Sequence, residues 1–228
     1  MTAIQRTSLR AGLLAAMAGW AVSAEATTVP IFNGSFEAGT TGRPTGLASG
    51  LRFGQLNTTG SGWDTYTGLQ GWTNVSGGRI EIHADRDPTK VDAQDGDYYI
   101  SLDGGVNSTI QQSVALSKGT YLLSFWYSPE STNAASNAIR YSVGNLVSGQ
   151  VTRGTNGATL GAWTQVQSLF RVTTIGSYSL AFGALGSANH VGGFLDNVTI
   201  AAVPVPAAGL GLLTGLLGLF GIRRRRHG

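Results

Sequence analysis

Residues 27–203 contain short apolar runs separated by glycine and small polar residues, and they show no sustained helical period. The clearest run is 120–128, where alternate residues from Tyr121 to Tyr127 form one apolar face and Trp126 points to the opposite face. Short strands that recur at this spacing are typical of two packed antiparallel sheets. The sequence therefore predicts an all-β sandwich.

The predicted strands are nine in number. They span residues 31–37, 79–83, 98–102, 109–114, 120–128, 138–143, 163–172, 178–182 and 193–200. Residues 40–67 are rich in glycine and threonine and contain no clear strand, so they are predicted to form a long loop.

The end of the chain forms a tail of three parts. A proline-containing turn comes first, formed by Val203, Pro204, Val205 and Pro206. Residues 207–222 are uncharged, and a helix of this length would span about 24 Å of a bilayer core of about 30 Å. A basic cluster follows, formed by Arg223, Arg224, Arg225 and Arg226. These arginines would hold the end of the helix on the cytoplasmic side of a membrane.

The beginning of the chain has the pattern of a secretory signal peptide. Arg6 and Arg10 precede the apolar residues 11–22, and small residues follow up to Ala26. A basic start, an apolar centre and an Ala-x-Ala site are the features that signal peptidase substrates share. The prediction is a signal peptide over residues 1–26, cleaved after Ala24 or Ala26.

The two terminal segments carry most of the positive charge. The whole chain has a formal net charge of +3, whereas residues 27–203 hold 9 basic and 11 acidic side chains. This balance argues against nucleic-acid binding through a basic face. The chain has no cysteine, which excludes a disulfide framework and thiol chemistry.

The tail resembles the PEP-CTERM sorting signal of Gram-negative bacteria, which an exosortase recognises and cleaves near the proline motif. Val205 stands where the usual glutamate of that motif is found. The resemblance implies a mature domain at 27–202 and a sorting signal at 203–228. It also implies a transient stay in the inner membrane, followed by delivery to the outer surface or the extracellular matrix. The alternative is an ordinary tail anchor.

The interval between these signals resembles the galactose-binding-like jelly rolls, a group that includes carbohydrate-binding modules. The resemblance rests on residues 33–39 (NGSFEAG), 71–72 (GW), 80–82 (IEI), 95–102 (DGDYYISL), 110–112 (IQQ), 119–127 (GTYLLSFWY) and 194–200 (FLDNVTI). It implies a jelly-roll β-sandwich, with an extracellular polysaccharide as the expected partner.

The same resemblance implies one structural Ca²⁺ ion, held by the side chains of Glu37 and Asp196 with help from backbone carbonyls. Calcium accepts six to eight hard oxygen ligands in irregular geometry, so this pair is chemically suitable. The alternative is that Asp196 caps a turn while Glu37 stays solvated. The acidic residues 85–97 are interpreted as a solvated loop, because they lack the spacing of an EF-hand.

A glycan-binding surface is predicted around Trp126, Glu81, His83 and Trp72, with Trp63 contributing from a neighbouring loop. Glu81 and His83 lie on the strand face opposite Ile80 and Ile82, and a sugar ring needs an aromatic plate and a few fixed polar groups. The alternatives are an ordinary wet sheet face, or a loop that covers Trp126.

No motif for catalysis is present, so a non-catalytic protein is the favoured interpretation. The sequence contains no Gly-x-Ser-x-Gly elbow, no His-Glu-x-x-His and no Walker loop. The alternative is a glycan-active enzyme in which two carboxylates, such as Glu81 and Asp103, face each other across a cleft.

Overall fold

The structure is a computed structural model, and it describes residues 26–40, 53–56, 62–76, 78–85, 87 and 90–204. Residues 26–203 form one compact unit. The predicted signal peptide, except Ala26, lies outside the described residues, and so do Val205, Pro206, the tail helix and the four arginines. Within the described residues, no helix has the length and hydrophobicity needed to cross a bilayer.

The described residues form twelve strands and two short 3-10 turns. The strands are β1 Thr28–Val29, β2 Trp63–Tyr66, β3 Thr73–Asn74, β4 Ile80–Ala84, β5 Tyr98–Ser101, β6 Thr109–Leu116, β7 Gly119–Pro129, β8 Ala138–Val143, β9 Val147–Val151, β10 Thr164–Val172, β11 Gly176–Leu185 and β12 Gly193–Ala202. The 3-10 turns are Phe53–Gln55 and Thr155–Gly157.

The strands pair into two antiparallel sheets. The seven-stranded sheet has the order β10-β7-β12-β5-β4-β2, with β1 also pairing with β12. The five-stranded sheet has the order β3-β6-β11-β8-β9. This architecture confirms the predicted all-β sandwich of the jelly-roll class.

The hydrophobic core lies between the two sheets. In β7 the alternation predicted from the sequence is observed, because Tyr121, Leu123, Phe125 and Tyr127 are all buried. Phe125 contacts Phe182 of the opposite sheet edge to face, with ring centroids 5.1 Å apart. Side chains from the inner faces of the two sheets therefore interdigitate, as in other β-sandwiches.

The predicted first strand, residues 31–37, is wrong. The first strand is Thr28–Val29, and the chain turns after it, with Asn33 and Phe36 at φ 53° and 65°. The Asn33 side chain stabilises the turn by accepting a hydrogen bond from the Ala38 amide at 2.8 Å. Asparagine adopts this left-handed conformation more readily than other non-glycine residues, so it breaks the apolar run.

Three further strands were missed. β2 lies inside the predicted long loop, while β3 and β9 are short and contain polar residues or glycine. Each of them pairs only at one edge of its sheet in the observed order. Such edge strands lack the apolar alternation from which strands are recognised in a sequence.

The first and last strands, β1 and β12, lie side by side. Thr28 pairs with Ala201, and the register of β12 then shifts between Asp196 and Thr199. At this bulge the Val198 amide donates to the Gly34 carbonyl at 2.9 Å, and a Cβ on Gly34 would lie 2.4 Å from the Val198 oxygen. Glycine at position 34 therefore permits the close approach that places Asp196.

Candidate functional site

The outer face of the seven-stranded sheet carries the polar residues predicted to bind a ligand. Glu81 on β4 lies opposite Ser101 on β5, Ser101 lies opposite Phe194 on β12, and Phe194 lies opposite Ser128 on β7. Trp126 lies two residues before Ser128, and His83 lies two residues after Glu81. Residues two apart on a strand share a face, so both side chains project from this outer face. Strands β4 and β7 therefore belong to one sheet.

Trp126 nevertheless lies far from Glu81 across that sheet. The two strands β5 and β12 separate β4 from β7, which corresponds to about 14 Å at the usual spacing between strands. Trp126 is half-buried and does not line the cavity beside Glu81 and His83.

The fourth predicted residue, Trp72, belongs to the core. Its side chain is buried, its indole N–H donates to the Asn33 carbonyl at 2.9 Å, and its ring packs 6.0 Å from that of Phe182. Trp72 therefore stabilises the sandwich and the turn after β1, and it does not extend the outer face.

His83 lies in a stack of aromatic rings on this outer face. Its ring is parallel to that of Tyr99, with centroids 5.1 Å apart and planes 7° apart, and Trp63 stacks beside it at 6.1 Å. The ring of Phe194 packs against it at a steep angle, with ring centroids 4.9 Å apart and planes 63° apart. His83 is only 1 % exposed, so this part of the face is dry and not the wet sheet face of the alternative interpretation.

Two carboxylates flank the imidazole of His83. Its Nδ1 lies 3.3 Å from Asp87 Oδ2, and its Nε2 lies 3.4 Å from Glu81 Oε1. Burial alone would lower the pKa of His83, but interaction with Asp87 and Glu81 outweighs burial and raises the pKa to about 9. His83 is consequently an imidazolium at neutral pH, with aromatic faces on both sides that favour the cation.

Asp87 belongs to the acidic segment that was interpreted as a solvated loop, and for this residue the interpretation is wrong. Its side chain is buried against His83. The loop after β4 returns over the outer face, which brings a carboxylate to the imidazole four positions earlier in the chain.

A cavity of about 490 Å³ opens beside this cluster. It is lined by Trp63, Glu81, His83, Lys90, Glu130, His190 and Val191. We call it the outer-face pocket. Four of these residues lie outside strands β2 and β4, and the sequence analysis did not identify them: Lys90, Glu130, His190 and Val191. The positions carry no motif that would have pointed to them.

Lys90 and Glu130 form an ion pair at one wall of the outer-face pocket. Lys90 Nζ lies 2.8 Å from Glu130 Oε1, and Glu130 Oε2 accepts a hydrogen bond from the Gly192 amide at 2.8 Å. Burial raises the pKa of Glu130, and Lys90 opposes that effect. Both oxygens of this carboxylate are therefore engaged in holding the wall together.

The outer face also contains buried polar atoms without a hydrogen-bond partner. Among the described residues these are Glu81 Oε2, His83 Nε2, Tyr99 OH and Ser128 Oγ, together with Asn107 Oδ1 elsewhere. Buried polar atoms in proteins are nearly always paired, so these four atoms are available to hydrogen-bond water or a ligand. Glu81 Oε2 and His83 Nε2 belong to residues that line the outer-face pocket.

The two predicted calcium ligands hold opposite ends of one loop. Glu37 Oε1 accepts hydrogen bonds from the amides of Asp97 and Tyr98 at 3.0 and 2.8 Å. Asp196 Oδ2 accepts from the amides of Gln94 and Asp95 at 2.8 and 3.0 Å. Residues near the beginning and near the end of residues 26–203 therefore bind the same turn before β5.

The chemistry of this pair is compatible with a cation. Burial raises the pKa of Asp196 to about 7 and also raises the pKa of Glu37. Asp196 takes part in none of the ion pairs observed among the described residues, so a bound cation would stabilise its charged form. The described residues contain no group of three or more acidic, histidine or cysteine side chains arranged for a metal ion. A calcium ion at Glu37 and Asp196 would thus depend on carbonyl ligands, and it stays a prediction.

A second cavity, of about 550 Å³, lies on the outer face of the five-stranded sheet. Its lining combines the polar residues Thr109, Arg140, Ser142, Ser148 and Gln150 with the aromatic residues Tyr141 and Phe182. Among the described residues, no carboxylate and no tryptophan lines it. The outer-face pocket is therefore the better candidate for a specific site.

Comparison with known proteins supports the fold. No protein-family model and no curated protein matches the sequence. A cyclase from Fischerella sp. TAU has a TM-score of 0.53 at 13% identity, covering 79% of this chain and 99% of that chain. The Stig cyclase Fisc from Fischerella sp. TAU, in complex with an indole compound, has a TM-score of 0.52 at 13% identity over 79% and 100% of the two chains.

Carbohydrate-binding modules are also among the similar structures. TmCBM61 in complex with β-1,4-galactotriose has a TM-score of 0.44 at 17% identity, covering 58% of this chain and 87% of that chain. Identities at this level report a common architecture only. The chain is an all-β sandwich similar to the cyclases in fold.

Proposed function

We propose that this protein is an exported, non-catalytic, carbohydrate-binding protein of the cell surface or the exopolysaccharide matrix, and that the outer-face pocket binds the sugar. The observation that carries the proposal is a pair of buried atoms without a hydrogen bond among the described residues, Glu81 Oε2 and His83 Nε2, beside the indole of Trp63.

A sugar hydroxyl suits this pair of atoms because it donates and accepts hydrogen bonds at the same oxygen. It would donate to the Glu81 carboxylate and accept from the N–H of the His83 imidazolium. Hydrogen bonds to charged groups are the strong ones, and the indole of Trp63 offers an apolar plate for the sugar ring. The cavity volume lies in the range of small-ligand sites.

The absence of catalysis is part of the proposal, and the state of the carboxylates supports it. Asp103 accepts hydrogen bonds from the amides of Gly105 and Asn189 at 3.2 and 3.0 Å, so it caps turns. Glu130 is held by Lys90 and Gly192. The second candidate function is a glycan-active enzyme, which is favoured by the presence of Glu81 and Glu130 in the lining of one pocket.

A binding measurement with the full-length chain tests the proposal. We expect glycan-array binding that competes with soluble glycan, and a loss of about tenfold or more in affinity for Glu81→Gln, which keeps the shape but removes the carboxylate. Asp92→Asn removes an exposed charge outside the pocket and serves as the matched control. Absence of binding to every glycan would contradict the proposal, and release of shortened products would favour the enzyme.

Export and exosortase processing are proposed on the terminal segments alone. The order of a proline turn, a short apolar segment and four arginines supports a sorting signal, with the inner membrane as its intermediate station. Intact-mass measurement of the surface fraction from the native host tests it. We expect chains that begin near Ala24 or Ala26 and end near Pro204 to Pro206. Surface protein that still carries Arg223 to Arg226 would overturn this part of the proposal.

A further inference from the structure

The charges in and behind the outer-face pocket do not balance. Glu81, Asp87 and Glu130 are carboxylates, whereas Lys90 and the His83 imidazolium are the cations in contact with them. Among these five described groups the carboxylates outnumber the cations by one. A buried charge without a counter-ion is costly, so the excess calls for a positive partner.

The excess can be assigned to one atom. Asp87 is paired with His83, and Glu130 is paired with Lys90 and the Gly192 amide. Glu81 Oε1 faces His83 at 3.4 Å, but Glu81 Oε2 is buried without a hydrogen-bond partner among the described residues. Glu81 is 3 % exposed, so bulk water does not solvate this oxygen freely.

We infer that the outer-face pocket binds a glycan through a positively charged amino group, so that its ligand is an amino sugar with a free ammonium. The ammonium donates to Glu81 Oε2 and supplies the missing positive charge, while neighbouring hydroxyls meet His83 Nε2 and the Trp63 ring. This inference rests on the proposed function and specifies its ligand class.

A neutral sugar would satisfy the pocket less well. A hydroxyl also donates a hydrogen bond to the carboxylate, but it brings no positive charge and leaves the buried carboxylate without a counter-ion, whereas an ammonium supplies both the hydrogen bond and the charge. An acetylated amine has one N–H, no charge and added bulk. We therefore expect a sugar with an ammonium substituent to bind more tightly than one with a hydroxyl or an acetamide.

The test compares three hexasaccharides with one backbone. The β-1,4-linked hexamers of glucosamine, N-acetylglucosamine and glucose differ at carbon 2, which bears an ammonium, an acetamide or a hydroxyl. We expect the full-length wild type, in 150 mM salt at pH 6.5, to bind the glucosamine hexamer at least tenfold more tightly than the other two. Glu81→Gln should remove this preference, and Asp92→Asn should retain it.

The outcomes separate this inference from the proposed function. Equal or tighter binding of a neutral hexamer, or a neutral glycan as the preferred array ligand, overturns the ammonium inference and leaves the sugar-binding function intact. Preference for the glucosamine hexamer that persists in well-folded Glu81→Gln also overturns it, since the contact is then non-specific. Absence of binding to any glycan overturns both. The comparison of hexamers on the wild type needs no variant, so misfolding of Glu81→Gln cannot hide the result.

Discussion

His83 on β4 lies face to face with Tyr99 on β5, with ring centroids 5.1 Å apart and planes only 7° apart. Both rings project from the outer face of the sheet, opposite the sandwich core. This stacking, with Trp63 on the other side, makes the outer face a second, smaller buried cluster. A charged imidazole and two carboxylates are thereby enclosed beside a cavity, where their interactions are stronger than in water.

Folding stability should depend on the titration of His83. Its pKa is raised from 6.5 to about 9 in the folded protein, and the groups around it are Asp87, Glu81, Glu130 and Tyr99. A raised pKa means that the stabilisation is fully present below pH 6.5 and is lost as the pH rises through 9. We expect urea unfolding to show a fall of about 3 kcal/mol between pH 6 and pH 10.

The control for this prediction is a pair of histidine variants. His83→Gln should abolish the fall of the unfolding free energy between pH 6 and pH 10. His190→Gln, at an exposed position, should show the same fall as the wild type. Equal unfolding free energies of the wild type at both pH values would contradict the charged state of His83.

Tryptophan substitutions distinguish the outer-face pocket from the wider surface predicted by sequence. Trp63→Ala removes the ring that lines the pocket, and we expect glycan affinity to fall about tenfold or more. Trp126→Ala should leave affinity unchanged, because Trp126 does not line the pocket. Isothermal titration with circular dichroism as the folding control measures both. A loss in Trp126→Ala alone would move the site across the sheet.

The ion pair between Lys90 and Glu130 should contribute to stability. Glu130 is nearly buried, with 5 % side-chain exposure, so Lys90→Met leaves one of its oxygens without a charged partner. The expected cost is about 2 kcal/mol, the usual scale for a hydrogen bond to a charged group. Chemical denaturation measures it, with Lys118→Met at an exposed position as the matched control. Equal stability of the two variants would show that the pair contributes nothing.

Calcium should stabilise the protein if Glu37 and Asp196 bind it. At a free concentration 100 times its Kd, a ligand specific for the native state adds about 2.7 kcal/mol. The melting temperature should therefore rise in CaCl₂ and fall in chelator, and the difference should vanish in Glu37→Ala and Asp196→Ala. The control variant Asp92→Asn should show the same difference in melting temperature as the wild type. Identical wild-type melts in calcium and chelator would mean that both carboxylates serve only to hold the loop before β5.

The sequence was sufficient for the fold class and for the central strands. Strands β7 and β8 were predicted almost to the residue, because alternation and turn residues are local properties of the chain. It also placed Glu81 and His83 on one face opposite Ile80 and Ile82. The strand predicted at residues 31–37 does not form, because Asn33 and Phe36 adopt left-handed backbone conformations. An apolar pattern in the sequence does not reveal such conformations.

The sequence by itself determined the sandwich and the polar pair on β4, while the two terminal signals stay predictions from charge and hydropathy. The tertiary structure alone decided which partners meet that pair. Glu81 and His83 meet Asp87, Lys90 and Glu130 because loops fold back over the outer face, and Trp72 lies in the core because its turn closes the sandwich. Strand alternation specifies the face on which a side chain lies. Long-range loop packing, which has no local period, specifies the groups that surround it.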